Sequence, residues 1–272
     1  MIHSLKVGNY TLTGVSLAGV YTAIVVPELR IQFDAGLQMR KHACSVDHLF
    51  LSHCHGDHIG GLFAMLGIRD LMRARPLKIY CPDSVCEELS ALLKAASSLF
   101  KLDTENQILP VVPGDVVKLG RGVDVHVLRS HHRVPCVGYQ VHKTTTRLKD
   151  EYKALPGAEI AQLRLTQADQ MFFSHTSNDL TYITDTTSKV FATNPSVLES
   201  KILICEATYL DEKYTIEQAQ RGGHMHLDEL LHQEFKGEHL VIIHPSQAYS
   251  PNDVHRIIGD RGIPFSAPGE DW

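Results

Sequence analysis

Apolar positions come in short blocks along the first part of the chain. Tyr10 to Leu17, Tyr21 to Val26 and Arg30 to Phe33 each read as a strand, punctuated by Gly14, Gly19 and Pro27 and closed by Asp34-Ala35-Gly36. The short turns between them predict antiparallel pairing. The pattern then changes to alternating strand and helix: Leu49-Phe50-Leu51 is a buried strand, and Ile59, Leu62, Phe63 and Leu66 recur at helical spacing. Leu77 to Tyr80 is another short strand, and Val85, Leu89, Leu92, Leu93 and Ala96 predict a helix over 83–100. Val111, Val116, Val117, Leu119, Val123, Val125 and Val127 mark further strand, in which His126 alternates outward as a solvated residue. Leu180 to Thr184, Ile202 to Cys205 and Leu240 to Ile243 are apolar strands. Helices accompany them: one opened by Asn194-Pro195, one carried by Leu227, Leu230, Leu231 and Phe235, and a last one around Val254, Ile257 and Ile258.

Residues 143–170 break the pattern. Lys143, Arg147, Lys149, Lys153 and Arg164 intermix with Asp150, Glu151, Glu159 and Asp169 around Pro156-Gly157. Such a stretch suits an exposed excursion with helical turns, either a solvated loop or a substrate-facing arm. No linker divides the chain, so residues 1–272 are expected to form one domain.

Chemistry concentrates at the ends of the strands. Leu51-Ser52-His53-Cys54-His55-Gly56-Asp57-His58 follows the buried strand and packs three histidines and an aspartate into six positions. In extended backbone His53 and His55 point the same way and can hold one ion, while Asp57 and His58, opening the helix, can hold a second. Cys54 points away from them and is expected to pack. Asp185, Glu206 and His244 each stand just past an apolar strand, where folds of alternating strand and helix build their sites. His131 or His132, after the Val123 to Leu128 strand, is a further candidate. With Asp185 as a bridge, two Zn²⁺ ions would leave a net positive site suited to an anionic group such as a phosphodiester.

Composition narrows the class without changing that picture. The chain has 17 histidines, a count that favours a metalloprotein, and a net charge of −5, which does not advertise nucleic-acid binding beyond a local patch. Its six cysteines are dispersed and expected to be free thiols. No stretch reaches the length of a membrane span and no signal-peptide pattern opens the chain, so a cytoplasmic location is expected.

These residues resemble the metallo-β-lactamase fold hydrolases and, among them, ribonuclease Z, the endonuclease that trims the 3′ extension of precursor tRNA. Beside the first motif, the resemblance rests on His132-Arg133-Val134-Pro135-Cys136-Val137-Gly138-Tyr139, Tyr182-Ile183-Thr184-Asp185-Thr186 and Ile242-Ile243-His244-Pro245-Ser246. It also rests on Glu206-Ala207-Thr208-Tyr209-Leu210 and Gly223-His224-Met225-His226-Leu227. It spans about residues 14 to 250 and is closest to the short, plant-like branch, through Arg147-Leu148-Lys149-Asp150-Glu151-Tyr152 and Leu155-Pro156-Gly157. The glycine-rich opening of bacterial members is replaced by a degenerate Gly14 to Gly19, and the glycine- and proline-rich protrusion of long-arm members is missing.

The resemblance implies an αββα four-layer sandwich, usually a homodimer, with two zinc ions or with manganese or iron in their place. It implies that His53, His55 and His132 hold one ion, that Asp57, His58 and His244 hold the other, and that Asp185 is shared. Asp57 counts among the catalytic residues, and Glu206 orients His224 as donor of the leaving-group proton; His226 packs or caps the next helix. The implied substrate is precursor tRNA or another phosphodiester. The competing readings are a thioesterase, lactonase or other small-ester hydrolase on the same fold, and a metal-bearing or RNA-binding protein without chemistry. The Glu206 and His224 segments argue against the first, and the presence of every expected ligand together with the proton-donor pair argues against the second. A β-lactamase is disfavoured, since the lactamases compared carry a cysteine where this chain has Asp185.

Overall fold

The computed structural model describes residues 2–102 and 106–266. Each half of the chain lays down seven strands in sequence order as one sheet. The first sheet comprises β1 (His3–Val7), β2 (Tyr10–Leu17), β3 (Tyr21–Val26), β4 (Ile31–Phe33), β5 (His48–Phe50), β6 (Lys78–Pro82) and β7 (Gln107–Val111). The second comprises β8 (Val116–Gly120), β9 (Val123–Arg129), β10 (Val137–Leu148), β11 (Phe172–Ile183), β12 (Ile202–Glu206), β13 (His239–Ile243) and β14 (Ile263–Pro264). In both sheets the first four strands pair antiparallel and the last three add parallel to the fourth. The expected antiparallel opening is therefore present, with β1 added before it.

Period-two alternation sorts the side chains into layers. Phe50 of β5, Tyr80 of β6, Ile202 and Ile204 of β12 and Val241 and Ile243 of β13 point between the sheets into one core. Phe33 and Tyr182 stack across it with ring centroids 4.6 Å apart. Leu49, Ile79 and Cys81 point the other way, under α2 (Leu62–Leu71) and α3 (Cys86–Phe100), which follow the short α1 (Gly56–Ile59). Beyond α4 (Gly157–Met171), α5 (Lys189–Thr193), α6 (Ile216–Gly222), α7 (Leu227–Leu231) and α8 (Pro251–Ile258) belong to the second half; Leu203, Cys205 and Ile242 bury against residues of α5, α7 and α8. The result is the four layers helix, sheet, sheet, helix. Among the described residues no helix is long and apolar enough to cross a membrane.

The excursion is more regular than its composition predicts. Lys143 to Leu148 continue β10 and pair with Phe172 to Ser177 of β11, so the charged stretch is a two-stranded ribbon carrying α4 at its tip, bent at Gln167. A bulge at Val141/His142 marks where the ribbon leaves the buried sheet. His126, expected to be solvated, is half-buried, its ring 4.0 Å from that of His142 on the neighbouring strand. All six cysteines are free, and Cys54 packs against the helical core as its alternation predicts.

Candidate metal centre

Three strand ends turn into the site through the same backbone device. Asp34 after β4, Asp185 after β11 and His244 after β13 all take positive φ, at 53°, 40° and 59°. Non-glycine residues are rarely held there, and such positions cluster where a site over-determines the backbone. Asp34 and Asp185 occupy matching places, each just beyond the strand that joins the antiparallel half of its sheet to the parallel half.

The two carboxylate oxygens of Asp185 face different histidines. Oδ2 lies 3.6 Å from His53 Nε2 and 3.8 Å from His132 Nε2, while Oδ1 lies 3.3 Å from both His58 Nε2 and His244 Nε2. His53 Nε2 and His55 Nδ1 converge to 2.9 Å, and Asp57 Oδ2 stands 3.5 Å from His58 Nε2 and 3.7 Å from His244 Nε2. Donor atoms of His53, His55, His132 and Asp185 thus form one cluster and those of Asp57, His58 and His244 a second, while those of Asp185, His224 and His244 form a third that overlaps both.

The outer ring nitrogens set the tautomers. His58 Nδ1–H donates to Asp34 Oδ2 at 2.8 Å, His132 Nδ1–H to the Gly223 carbonyl at 2.8 Å, and His244 Nδ1–H to Thr208 Oγ1 at 3.1 Å. His53 Nδ1–H donates to Ser52 Oγ at 3.0 Å, and that hydroxyl donates to Asp34 Oδ2 at 2.8 Å. Each Nε2 is left with its lone pair inward, and those of His58, His132 and His244 are buried without a hydrogen-bond partner. Buried imidazole nitrogens orphaned around two carboxylates fit divalent cations, whose donor preference they match.

Burial would lower the His58 ring, yet the Asp185 and Asp34 carboxylates raise it well above the ordinary histidine range, so this anionic pocket draws the positive charge that a cation would supply. Burial would push the Asp185 carboxyl up, yet the His244 and His58 rings hold it well below the usual carboxylate range. Burial lowers both His53 and His132, which keeps them neutral as ligands must be. Asp57 is likewise held low by its histidine neighbours against the effect of burial, and Oδ2 accepts the Gly19 N–H at 2.9 Å.

A second carboxylate, fully buried, organises the far side. Glu206 Oε1 accepts Thr186 N–H at 2.6 Å and His224 Nδ1–H at 3.2 Å, and Oε2 accepts the Thr208 hydroxyl at 2.7 Å and Met225 N–H at 3.2 Å. One residue thereby ties together the Asp185 loop, the His224 loop and, through Thr208, His244. The His224 ring sits 5.1 Å from that of His132 and 5.4 Å from that of His244. Gly223, at φ +82°, caps α6 and lets its backbone pass beside His132, where an added Cβ would come within 2.8 Å of Nδ1.

A model of the Beta-lactamase superfamily domain matches residues 25–244. The chain belongs to that superfamily. Within it the chain belongs with the tRNase Z proteins: it is 31% identical to the tRNase Z TRZ1 of Arabidopsis thaliana over 255 residues, covering 92% of this chain and 90% of that protein. The fold matches the human tRNase Z short form ELAC1, with a TM-score of 0.61 at 17% identity over 86% of this chain and 92% of that one. It also matches the metallo-β-lactamase fold protein YhfI of Bacillus subtilis, with a TM-score of 0.60 at 17% identity over 98% and 94% of the two chains. The αββα sandwich is thus the metallo-β-lactamase fold, which binds divalent metal, and the chain is a metal-dependent hydrolase of the nuclease kind.

Within this metallo-β-lactamase fold, the candidates His53, His55, Asp57, His58, His132, Asp185, Glu206, His224 and His244 lie in or beside these clusters. His131 does not: its Nε2 turns to Thr193 Oγ1 at 2.7 Å. His226 caps α7 by accepting Asp228 N–H on Nδ1 at 3.2 Å, while its Nε2–H donates to the Asp211 carbonyl. The residue that sequence reasoning passed over is Asp34, which reads as the mere close of a strand. Its only signal is an acidic residue directly after an apolar run, the same signal that singled out Asp185.

Proposed function

We propose that the chain is a dinuclear zinc-dependent endoribonuclease that removes the 3′ extension of precursor tRNA, with manganese or iron able to take the place of zinc. The observation that carries this reading is the Glu206–His224 pair set against two donor clusters, with Asp185 Oδ2 facing the first and Oδ1 facing the second. His53, His55 and His132 would hold one ion, Asp57, His58 and His244 would hold the other, and Asp185 would be shared. When bound, such ions acidify water and neutralise the charge of a phosphodiester. The remaining steps belong to the chain. Glu206 fixes His224 through Nδ1, so that a proton on Nε2 is delivered to the departing 3′ oxygen, a role suited to a histidine held in its acid form. Asp57, fixed by Gly19 N–H, orients the attacking water.

The ribbon of residues 143–170 carries Lys143, Arg147, Lys149 and Lys153 outside the sandwich and serves as the substrate-facing arm of a single domain. Free thiols throughout fit a reducing compartment, here the cytoplasm. Leu71, Met72, Leu99 and Phe100, exposed at the ends of α2 and α3, supply apolar surface for a homodimer, checked by light scattering on the eluted protein.

The testing experiment incubates zinc-loaded protein with a 3′-extended tRNA precursor, alongside an aryl phosphodiester and a thioester. A single cut after the discriminator nucleotide, leaving a 3′ hydroxyl, is the expected result. Intact tRNA with rapid thioester or small-ester turnover overturns it in favour of a small-molecule hydrolase.

A further inference from the structure

The backbone leaving β12 runs alongside the loop that carries His224. Thr208 N–H and Tyr209 N–H both donate to the Met225 carbonyl, at 3.1 and 3.4 Å, and Leu227 N–H donates to the Tyr209 carbonyl at 2.8 Å. Tyr209 also forms a parallel bridge with His226, so its backbone is fixed to the residues that follow His224. The ring is braced as well. It packs on Tyr214 with centroids 4.6 Å apart, and Tyr214 in turn meets Tyr249 edge-on at 6.4 Å. A Cβ added at Gly222 would come 3.3 Å from His224 Cδ2 and 4.0 Å from the Tyr209 hydroxyl oxygen, so the two side chains border the same glycine. Cδ2 is the ring atom bonded to Nε2. The Tyr209 hydroxyl therefore stands by the edge of His224 opposite the one that Glu206 holds at Nδ1.

The fold does not engage that hydroxyl. Those of Tyr10, Tyr139, Tyr182 and Tyr249 each donate to a carboxylate or a backbone carbonyl. Tyr209 is half-buried, and among the described residues its Oη has no hydrogen-bond partner. Burial, with Tyr214 and the Glu206 charge beside it, pushes the phenol up, so it keeps its proton and can donate. A braced donor next to the acid of the reaction, unused by the protein itself, is placed for a hydroxyl of the substrate.

We infer that Tyr209 donates a hydrogen bond to the 2′-hydroxyl of the last retained nucleotide and so makes the site selective for RNA at the cut. The inference rests on the endoribonuclease reading of the site. In that reading His224 gives its proton to the departing 3′ oxygen, and the 2′ oxygen sits on the adjacent carbon of the same ribose. A second donor on the Nε2 side of His224 meets it. The 2′-hydroxyl can accept such a bond, and it is the group by which a protein tells RNA from DNA. The contact reads a sugar and not a base, so it leaves the identity of that nucleotide open.

The test crosses Tyr209→Phe with the sugar it is inferred to touch. Zinc-loaded wild type and variant are each given an all-ribose 3′-extended tRNA precursor and one carrying 2′-deoxyribose only at the last retained nucleotide. Phenylalanine keeps the ring on Tyr214, and equal zinc content in the two proteins confirms that the centre is intact. Tyr209→Phe is expected to slow cleavage of the all-ribose precursor about three- to tenfold and of the deoxy precursor by less than about twofold, because the partner of the hydroxyl is already gone. Any effect of the deoxy sugar on the leaving group itself falls on both proteins alike and cancels in that comparison. An equal loss on both precursors, or no loss on either, overturns the Tyr209 contact alone. A wild type that cuts neither precursor removes the endoribonuclease reading and the contact with it.

Discussion

Asp34 Oδ2 accepts the His58 Nδ1–H at 2.8 Å from 24 positions earlier in the chain, and the Tyr182 hydroxyl donates to the same oxygen at 2.6 Å. The contact joins both sheets to one metal-facing ring. Such outer carboxylates fix the tautomer of a ligating histidine and raise its basicity, and their loss costs about 10–100-fold in metal affinity. Asp34→Asn is therefore expected to bind zinc about 10–100-fold more weakly while keeping all seven proposed ligand side chains. Competition against a chromogenic chelator measures this; wild-type affinity in the variant removes Asp34 from the centre.

Asp185→Ala takes away a carboxylate whose two oxygens face both clusters, leaving His53 and His132 without their carboxylate partner and His58 and His244 with Asp57 alone. Bound metal and phosphodiesterase activity are expected to fall together. Metal content by atomic emission, set beside turnover, decides it: full occupancy with normal turnover is incompatible with a bridge.

His224 is proposed to act on the leaving group, so its loss and the loss of a ligand have different signatures. His224→Ala is expected to keep its metal yet cleave precursor tRNA about 10²–10⁴-fold more slowly, the usual worth of a positioned acid. A nitrophenolate leaves without a proton, so the loss on an aryl phosphodiester is expected to be smaller. An equal loss on both substrates moves the acid elsewhere.

The acid form of His224 carries a pH signature. Burial alone would lower its pKa, but the Glu206 carboxylate, by charge and hydrogen bond, raises it to about 9. A raised histidine keeps its proton below that value and loses it above, so cleavage of precursor tRNA is expected to decline as pH rises through about 9. Glu206→Gln removes the charge that raises it, and the alkaline limb is expected to move to lower pH. A limb that stays in place in rate–pH profiles of the variant assigns it to another group.

Much of the centre was legible because its residues stand where local pattern is strongest. Asp185, Glu206 and His244 each end an apolar strand whose alternation is unmistakable, and the His53 to His58 loop lies between a buried strand and a helical repeat. Asp34 was not, because its role depends on His58 and Tyr182, far away in sequence, and a single acidic residue after a strand looks like a turn. The ribbon was missed for a different reason. Thr144, Thr145 and Thr146 face Thr176, His175 and Ser174 outside the sandwich, so neither face carries the apolar rhythm that marks a half-buried strand. β1 escaped notice similarly: only Val7 and His3 of its five residues are buried.

Two glycines beside the ligand loop, Gly36 and Gly56, separate packing from chain flexibility. Gly36, held by Thr22 through its N–H at 2.8 Å, lies so close behind α1 that an added Cβ would fall 1.7 Å from the Asp57 carbonyl oxygen, on backbone that cannot rotate away. Gly56, inside the His53 to His58 motif and first in α1, would meet nothing within 4 Å. Gly36→Ala is expected to displace Asp57, lower stability by about 1–3 kcal/mol as overpacked sites do, and weaken metal binding at the Asp57, His58 and His244 cluster. Gly56→Ala, in helical backbone with open space, is expected to be neutral or to stabilise by up to about 1 kcal/mol with metal binding unchanged. Thermal unfolding of the metal-free proteins reads the stability difference, and zinc titration reads the metal. If Gly36→Ala unfolds as the wild type does and fills both clusters, the close contact between Gly36 and Asp57 does not govern the geometry of the second cluster.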